Sequence, residues 1–287
     1  MLKKKFIIFY NRSRNLLFRG RVKSPLLTWV GKKIIFILKS DYAEIDGDRI
    51  YLDTRDSLAL STIGSSEPFI RDLFKKEVKP GEVVVDIGAN IGYHTLLLAK
   101  LVGDKGKVYA FEPHPENFAL LKKNVEVNGY KNVIVEQKAV SDKNGKVKLY
   151  LAGDNRTTRH SMIKYEKTKA EYVEVDTVAL DDYFKDQSVH FIKIDIEGAE
   201  HYAVVGMRKL LKKNKNIKMI LEFTPARLED LGIKPAKHIK LLQELDFTLL
   251  NVNEKDKVLD VFEMDKIPVY ITKRWTGSDN TNLFCYK

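Results

Sequence analysis

The apolar positions of this chain form short β-branched runs that alternate with longer runs at helical spacing. The clearest example is residues 82–100, where Val83, Val84 and Val85 follow one another with no polar residue between them. A run of this kind is typical of a parallel strand covered on both faces. A turn with two glycines and an apolar helix follow it, so the first N–H groups of that helix are expected to face the turn. Such a crevice suits a small polar ligand.

The same alternation continues along the chain and predicts an α/β fold. Runs with helical spacing predict helices at residues 67–78, 113–128, 200–211 and 235–245. Apolar or alternating runs predict strands at residues 83–86, 107–112, 133–140, 146–151, 172–178, 189–198, 218–223, 247–252 and 281–286. A β-hairpin is expected before them, at residues 43–52, around the turn Asp46-Gly-Asp48.

Acidic residues lie at the carboxyl ends of two predicted strands. Asp86 ends the first, directly before the turn Gly88-Ala-Asn-Ile-Gly92. A dinucleotide site needs the pattern G-x-G-x-x-G, and this turn lacks its middle glycine. A carboxylate there would repel a diphosphate, whereas it suits the α-ammonium group of an amino-acid-like cofactor. Glu112 ends the next strand, 26 positions later, where an acid accepts hydrogen bonds from both hydroxyls of a ribose.

A further group of ionisable residues follows the predicted strand at residues 189–198. Asp195 and Glu197 lie at its end, and Glu200 and His201 begin the next helix. Since ligands gather at the carboxyl ends of parallel strands, these groups are expected at the same edge of the sheet as the two earlier acids. Four such groups within seven positions exceed what packing requires, although capping of the helix by Glu197 or Glu200 is an alternative explanation.

The chain resembles the FkbM-type S-adenosylmethionine-dependent methyltransferases from about residue 65 to its end. The D-x-E-G-x-E element points to this family rather than to class I methyltransferases generally. The resemblance implies a Rossmann-like class I methyltransferase fold with a seven-stranded, mostly parallel sheet and an antiparallel last strand. It also implies S-adenosylmethionine as methyl donor and transfer to a hydroxyl oxygen, often of a sugar or polyketide. It rests on three motifs: Asp86-Ile-Gly-Ala-Asn-Ile-Gly-Tyr-His-Thr95, Phe111-Glu-Pro-His-Pro-Glu-Asn117 and Lys193-Ile-Asp-Ile-Glu-Gly-Ala-Glu200.

The resemblance also implies which residues bind the cofactor. In the family the helix that precedes the first strand often borders the cofactor, which makes Glu67 a candidate. In related enzymes the residues just beyond the third strand border the adenine ring, which makes Val140 and Ser141 candidates. The full set expected to bind S-adenosylmethionine is Glu67, Asp86, Gly88, Asn90, Gly92, Thr95, Glu112, Pro113, Val140, Ser141 and Asp195.

The acceptor hydroxyl needs a base, because an alcohol is a poor nucleophile until its proton is drawn away. We expect Asp195 or Glu197 to orient and deprotonate it, with His160 or His201 as further candidates. His160 belongs to residues 153–169, a polar stretch typical of a loop that holds or covers a ligand. A divalent metal held by Asp195 and Glu197 is an alternative way to acidify the hydroxyl, although the pattern predicts no dedicated metal site.

The net charge of +11 is concentrated at the N-terminus. Residues 1–40 contain eleven Lys and Arg and no Asp or Glu, while residues 41–287 contain 39 of each sign. We interpret residues 1–64 as a basic amphipathic extension with the hairpin, and residues 65–287 as the methyltransferase domain. One cysteine, Cys285, excludes an internal disulfide.

The basic extension leaves three interpretations open. Its apolar side could pack on the domain, it could attach peripherally to an anionic membrane, or it could bind nucleic acid. Its apolar runs are shorter than the ~20 residues of a bilayer span, and the first is too short for a signal peptide. We therefore expect a cytoplasmic protein, with peripheral membrane association through residues 1–40 as an option.

The sequence favours an O-methyltransferase that acts on a glycan, a glycolipid or another small-molecule acceptor. RNA methylation is an alternative, although the basic charge lies outside the catalytic domain and the fourth strand lacks the N-P-P-[YF] element of base methylases. A non-catalytic protein that retains the fold is another. An oxidoreductase is the weakest alternative because of the glycine spacing. The oligomeric state is not predicted.

Overall fold

The chain forms two compact units, residues 1–66 and 67–287. The computed structural model describes residues 40–54, 56, 58, 60, 66–151, 171–267 and 281–287. In the first unit, two antiparallel strands meet at a turn in which Asp46 and Gly47 have positive φ angles of 51° and 87°. Positive φ at both central residues is what a tight hairpin turn requires, so the predicted hairpin is confirmed.

The strands of the chain, in order, are as follows. They are β1 (Tyr42–Ile45), β2 (Asp48–Tyr51), β3 (Val83–Ile87), β4 (Lys107–Phe111), β5 (Val133–Glu136), β6 (Ala139–Val140), β7 (Gly145–Tyr150), β8 (Tyr172–Val178), β9 (Phe191–Ile194), β10 (Lys218–Phe223), β11 (Thr248–Asn253), β12 (Val258–Val261) and β13 (Thr281–Tyr286). The α-helices among the described residues are α1 (Pro68–Glu77), α2 (Tyr93–Val102), α3 (Pro115–Val127), α4 (Leu180–Phe184), α5 (Glu200–Val205), α6 (Arg208–Lys213), α7 (Pro225–Asp230) and α8 (Pro235–Glu244).

Eight described strands of the second unit form one sheet in the order β12-β11-β13-β10-β9-β3-β4-β5. Strands β10, β9, β3, β4 and β5 are parallel to one another, and β13 is antiparallel to both of its neighbours. This is the Rossmann-like α/β arrangement that the sequence predicts, including the antiparallel last strand. The sheet has one strand more than the seven expected, because β12 continues the edge beyond β11.

The sheet separates two apolar cores. Val85 and Ile192 face the core that α5, α6 and α8 cover, whereas Val84 and Phe191 face the core under α1 and α2. Consecutive β-branched residues on β3 are therefore all buried, as expected for a strand covered on both faces. The polar ends of the central strands remain for a site at the edge of the sheet.

Residues 133–140 were predicted as one strand, and this is wrong. The β4–β5 ladder stops where the N–H of Glu112 donates to the carbonyl of Glu136, at 3.1 Å. The chain then leaves the main sheet, and β6 pairs with β8 in a separate sheet of order β6-β8-β7. The strand is split because it changes its pairing partner, a tertiary effect that local hydrophobicity does not encode.

The helix predicted for residues 200–211 is likewise interrupted, at Gly206. A Cβ at this position would overlap the carbonyl oxygen of Ser141, so only glycine fits there. The carboxylate of Asp181 then accepts hydrogen bonds from the N–H groups of Lys209 and Leu210, at 3.1 and 2.8 Å, and so caps α6 from a neighbouring element.

Helix α1 is fixed at its first turn by a residue far along the chain. The Glu254 carboxylate, in the turn between β11 and β12, accepts the N–H groups of Phe69 and Ile70 at 3.1 and 2.8 Å. These groups have no partner inside the helix, so the contact supplies the missing cap. It also positions Glu67, the residue that precedes α1. Among the described residues, no helix combines the length and apolar character needed to cross a bilayer.

Candidate cofactor and acceptor site

Three acidic side chains lie at the carboxyl ends of the neighbouring strands β3, β4 and β9. In the sheet register, Asp86 pairs with Lys193 of β9, and Asp195 follows the last residue of that strand. Glu112 follows the last residue of β4. The N–H of Asp195 donates to the carbonyl of Ile87 at 3.0 Å, which ties the two strand ends together. The structure therefore brings the three predicted acids to one edge of the sheet.

The glycine turn after β3 is shaped by the neighbouring strand. Gly88, Asn90 and Gly92 all have positive φ angles, of 79°, 51° and 93°. A Cβ at Gly88 would overlap the carbonyl oxygen of Asp195, and one at Gly92 would lie 3.0 Å from a methyl carbon of Leu121. The close approach at Gly88 is thus made by the protein's own backbone, which holds the turn against β9.

Asp86 is completely buried, and its carboxylate contacts two polar side chains. One oxygen accepts the hydroxyl of Thr95 at 2.6 Å. The other has no hydrogen-bond partner among the described residues and lies 3.8 Å from the ammonium nitrogen of Lys193. The predicted residues Asp86 and Thr95 therefore form one unit beneath the glycine turn.

Glu112 reaches back over the same turn. Its two carboxylate oxygens accept the N–H groups of Asn90 and His114, each at 2.9 Å. Burial raises the pKa of Glu112 to about 7, although the two backbone N–H groups and the charge of Lys193 act in the opposite direction. Pro113, another predicted residue, lies between Glu112 and the helix α3. Lone pairs of the carboxylate remain for ligand hydroxyls.

Glu67 also belongs to this site, through its contact with α2. Its carboxylate lies 3.0 Å from Nε2 of His94, whose ring packs edge-on against Phe74. Burial alone would raise the pKa of Glu67, but the hydrogen bond and charge of His94, the charge of Lys193 and a hydrogen bond from Asn282 hold it below its usual value. Glu67 is therefore held as a carboxylate.

Lys193 lies in the middle of these acids and was not among the residues predicted for the site. Its ammonium nitrogen is 3.3 Å from a carboxylate oxygen of Asp195 and 3.3 Å from the carbonyl of Gly88. The side chain is 7% exposed. Burial would lower its pKa, but the charges of Asp195, Asp86 and Glu67 raise the pKa above its usual value, so the group stays protonated. A lysine within an otherwise apolar β9 was the signal available in the sequence.

The residues after β9 divide into an accessible acid and a structural one. Asp195 has a side chain 37% exposed, at the rim of the site. Glu197 follows at a positive φ of 53°, half-buried. Glu200 instead braces the loop, because one of its oxygens accepts the N–H groups of Ile196 and Gly198, both at 3.1 Å. Burial raises the pKa of Glu200 to about 7.

The two predicted histidines are not placed beside Asp195. Nδ1 of His201 lies 3.2 Å from Nδ1 of His238, and its other ring contact is with Tyr202. Burial lowers the pKa of His201 and lowers that of His238 to about 3, so both are neutral imidazoles at pH 7. His160 lies outside the described residues, as do Arg274 and Trp275, which were considered as acceptor contacts.

Val140 and Ser141 are both buried at the end of β6. The N–H of Ser141 donates to the carbonyl of Val178 at 3.0 Å, and its hydroxyl donates to the carboxylate of Asp142 at 3.1 Å. The structure records no contact between this pair and the acids at the strand ends. Within the described part of the chain, no three His, Cys, Asp or Glu side chains are grouped in a way that would hold a metal ion.

The donor set fits S-adenosylmethionine, a cofactor with a sulfonium, an ammonium and a ribose. Glu67, Asp86, Glu112 and Asp195 surround the single cation Lys193, so the described site offers more carboxylates than it neutralises. The oxygen of Asp86 that lacks a hydrogen-bond partner leaves negative charge beneath the turn. Such an excess suits a ligand with two positive groups.

Comparison with known proteins identifies the family. The profile described as "Methyltransferase FkbM domain" matches residues 86–249, more than half of the chain. Among curated relatives, the 31-O-demethyl-FK506 methyltransferase FkbM of Streptomyces tacrolimicus is 46% identical over 72 residues, which are 24% of this chain and 26% of that protein. A protein-L-isoaspartate O-methyltransferase of Aeropyrum pernix is 46% identical over 56 residues, which are 20% of this chain and 22% of that protein.

The chain thus spans about a quarter of the length of these curated relatives. Among solved structures, the fibrillarin of Aeropyrum pernix, in complex with natively bound S-adenosyl-L-methionine, aligns with 85% of this chain and 84% of its own length. The identity is 12% and the TM-score 0.44. The chain belongs to the FkbM methyltransferase family, and it is an S-adenosylmethionine-dependent methyltransferase with a Rossmann-like fold.

Proposed function

We propose that this protein transfers the methyl group of S-adenosylmethionine to a hydroxyl oxygen of a glycan, a glycolipid or another small-molecule acceptor. The observation that carries the proposal is the position of Asp195. Its carboxylate is partly exposed at the rim of the site, while one of its oxygens contacts the buried ammonium group of Lys193 at 3.3 Å. A fixed carboxylate with an accessible side is suited to accept the proton of an alcohol.

The remaining acids have a different role in this proposal. Glu112 binds the ribose hydroxyls, and Asp86 and Glu67 supply the negative charge that favours the ammonium group of the cofactor. All three are more buried than Asp195, and their oxygens are already oriented by Asn90, Thr95 and His94. Binding groups with fixed orientations reduce the entropy lost when the cofactor binds.

The chemical step places few demands on the protein beyond position and proton removal. The cofactor supplies a methyl group on a positively charged sulfur, which the acceptor oxygen displaces in line. The site must therefore hold that oxygen about 3 to 3.5 Å from the methyl carbon and exclude water. Asp195 takes the proton, and Glu197, two residues further, is the second candidate for this role.

The transfer to oxygen, rather than to nitrogen or carbon, also has support from the relatives. Both curated proteins named above act, by their names, as O-methyltransferases or on an O-demethyl substrate. RNA remains the alternative acceptor. We have no observation in the described residues that favours it over a hydroxylated small molecule.

The test compares the variants Asp195→Asn and Glu112→Gln. Purified protein with methyl-labelled S-adenosylmethionine is incubated with cell extract, which is then separated into glycan, lipid and RNA fractions. We expect label in the glycan or lipid fraction, and a loss of about 10² to 10⁴-fold in turnover for Asp195→Asn with cofactor affinity preserved in calorimetry. Glu112→Gln should lose cofactor affinity. Label in RNA, or full turnover by Asp195→Asn, would contradict the proposal.

A further inference from the structure

We propose that Lys193 is a positioning residue for the reaction, linking the cofactor acid Asp86 to the acceptor base Asp195. The inference rests on the proposed function, in which Asp195 accepts the proton of the acceptor. It assigns a role to a side chain that touches neither the reacting oxygen nor the methyl group.

The first argument is the cost of placing this residue where it is. Lys193 is the third residue of β9, between Ile192 and Ile194, and both of these neighbours are buried in the core. Removing an ammonium group from water costs several kcal/mol unless well-placed partners compensate it. A hydrophobic residue would stabilise the sheet at least as well, so stability alone does not account for a lysine at this position.

The second argument is the set of groups that the ammonium contacts. It lies 3.3 Å from Oδ2 of Asp195, 3.8 Å from Oδ1 of Asp86 and 3.3 Å from the carbonyl oxygen of Gly88. One group therefore contacts the end of β3, the glycine turn and the residue after β9. These are the three parts of the chain that must keep fixed relative positions if cofactor and acceptor are to react.

The third argument concerns the state of the surrounding charges. Besides Asp86 and Asp195, the acids Glu67 and Glu112 face Lys193, and Glu67 is paired with His94. Because these carboxylates favour its charged form, Lys193 is not itself the base. Its function is to fix Oδ2 of Asp195, so that the other carboxylate oxygen is directed to the rim of the site.

The experiment uses the full chain with three substitutions. Lys193→Met removes the charge, Lys193→Arg keeps it, and Lys218→Met is the matched control. Lys218 is also a strand lysine paired with a carboxylate, that of Glu77 at 2.8 Å, but it lies at the opposite end of the sheet. We expect the kcat of Lys193→Met to fall about 10²-fold, since a small misplacement of a reacting group has that effect. Arginine should restore most of it, and Lys218→Met should match the wild type.

A second measurement needs neither an acceptor nor a stable methionine variant. In protein labelled with ¹⁵N-lysine, the ammonium resonance of Lys193, identified by its loss in Lys193→Arg, should shift in Asp195→Asn and again when S-adenosylmethionine is added. An unchanged resonance in Asp195→Asn would overturn the inference. So would a wild-type kcat in Lys193→Met together with the expected loss in Asp195→Asn. Full turnover by Asp195→Asn would instead overturn the proposed function, and the inference with it.

Discussion

At the scale of single residues, Gly88 is the position where the fold leaves least freedom. It combines a left-handed backbone with contact to the carbonyl oxygen of Asp195. Gly81 has a similar φ of 86° but nothing within 4 Å of where its Cβ would lie. The two glycines therefore separate backbone strain from steric overlap.

We predict that Gly88→Ala destabilises the protein far more than Gly81→Ala. The Gly81 variant should lose about 1 to 2 kcal/mol, the cost of a left-handed conformation for an L residue. The Gly88 variant should lose about 4 kcal/mol or more, or fail to fold, because the turn and β9 must also move apart. Urea unfolding of both variants measures the difference. Equal losses would mean that the contact with Asp195 is unimportant.

Glu112 predicts a pH dependence of cofactor binding. Because the pKa of Glu112 is about 7, a large fraction is protonated below neutral pH, and a protonated carboxyl accepts fewer hydrogen bonds from ribose hydroxyls. We predict that affinity for S-adenosylmethionine rises as pH increases from 6 to 8, measured by calorimetry. The variant Glu112→Gln should bind weakly and lack this dependence. The same pH dependence in the variant would assign it to another group.

The linkage to stability has the opposite sign. Folding raises the pKa of Glu112 from 4.5 to about 7, so the folded state binds a proton that the unfolded state has released. The stabilisation of the folded state that comes from this proton is present below pH 4.5 and is lost as pH rises to about 7. The site is thus least favourable for the free protein at the pH where it binds its cofactor best.

The acids of the site were predictable from the sequence because of where they stand. Asp86, Glu112 and Asp195 each follow a buried apolar run, and the carboxyl ends of parallel strands converge. Lys193 was missed because a charged residue inside a strand carries no signal until its partners are known. Those partners are 107 and 105 residues away in the chain, at Asp86 and Gly88.

At the scale of elements, the cap of α1 is the contact that connects the far edge of the sheet to the site. Glu254 supplies both oxygens to the first N–H groups of this helix, and Glu67 directly precedes it. We predict that Glu254→Ala lowers the free energy of unfolding by about 1 kcal/mol, the usual worth of an N-terminal cap. It should also weaken cofactor binding, because Glu67 loses its fixed position.

The control for this prediction is Glu229→Ala, since Glu229 is an exposed residue of α7. Calorimetry with S-adenosylmethionine and thermal unfolding should both match the wild type in that variant. Glu254→Gln keeps one acceptor oxygen and should give an intermediate result. Wild-type affinity in Glu254→Ala would show that Glu67 does not depend on this cap for its role.

Element boundaries were predictable where local pattern and tertiary contact agree. The unit of strand, glycine turn and helix at residues 83–102 forms as predicted, because its apolar run, turn residues and helix all favour the same structure. The prediction was wrong at Gly206, where the break depends on contact with Ser141, and between β5 and β6, where the strand changes partner. Both depend on residues distant in the sequence.

At the scale of the whole molecule, the described cofactor site lies within the unit formed by residues 67–287. Residues 66–287 contain 37 Lys and Arg and 33 Asp and Glu, so this part carries a charge of only +4. The first 40 residues carry +11. Charge and chemistry are therefore divided between two parts of the chain, and their roles can be tested separately.

The hypothesis of peripheral membrane attachment makes a prediction for this division. The full chain should sediment with vesicles that contain phosphatidylserine and be released at high salt, because each basic residue near an anionic surface contributes about 1 kcal/mol and salt screens it. A protein of residues 66–287 should stay in solution with the same vesicles. Both proteins should bind S-adenosylmethionine equally, since Glu67, Asp86 and Glu112 are retained.

Neutral phosphatidylcholine vesicles and an unstructured RNA serve as the controls for that experiment. If the extension packs on the domain instead, the full chain will bind neither vesicle type and its removal will lower the thermal stability of residues 66–287. If it binds nucleic acid, RNA will compete for the full chain with a steep dependence on salt. Release from phosphatidylserine by salt, with no effect of RNA, would place the reaction at an anionic membrane surface and favour a lipid-linked acceptor over a freely diffusing one.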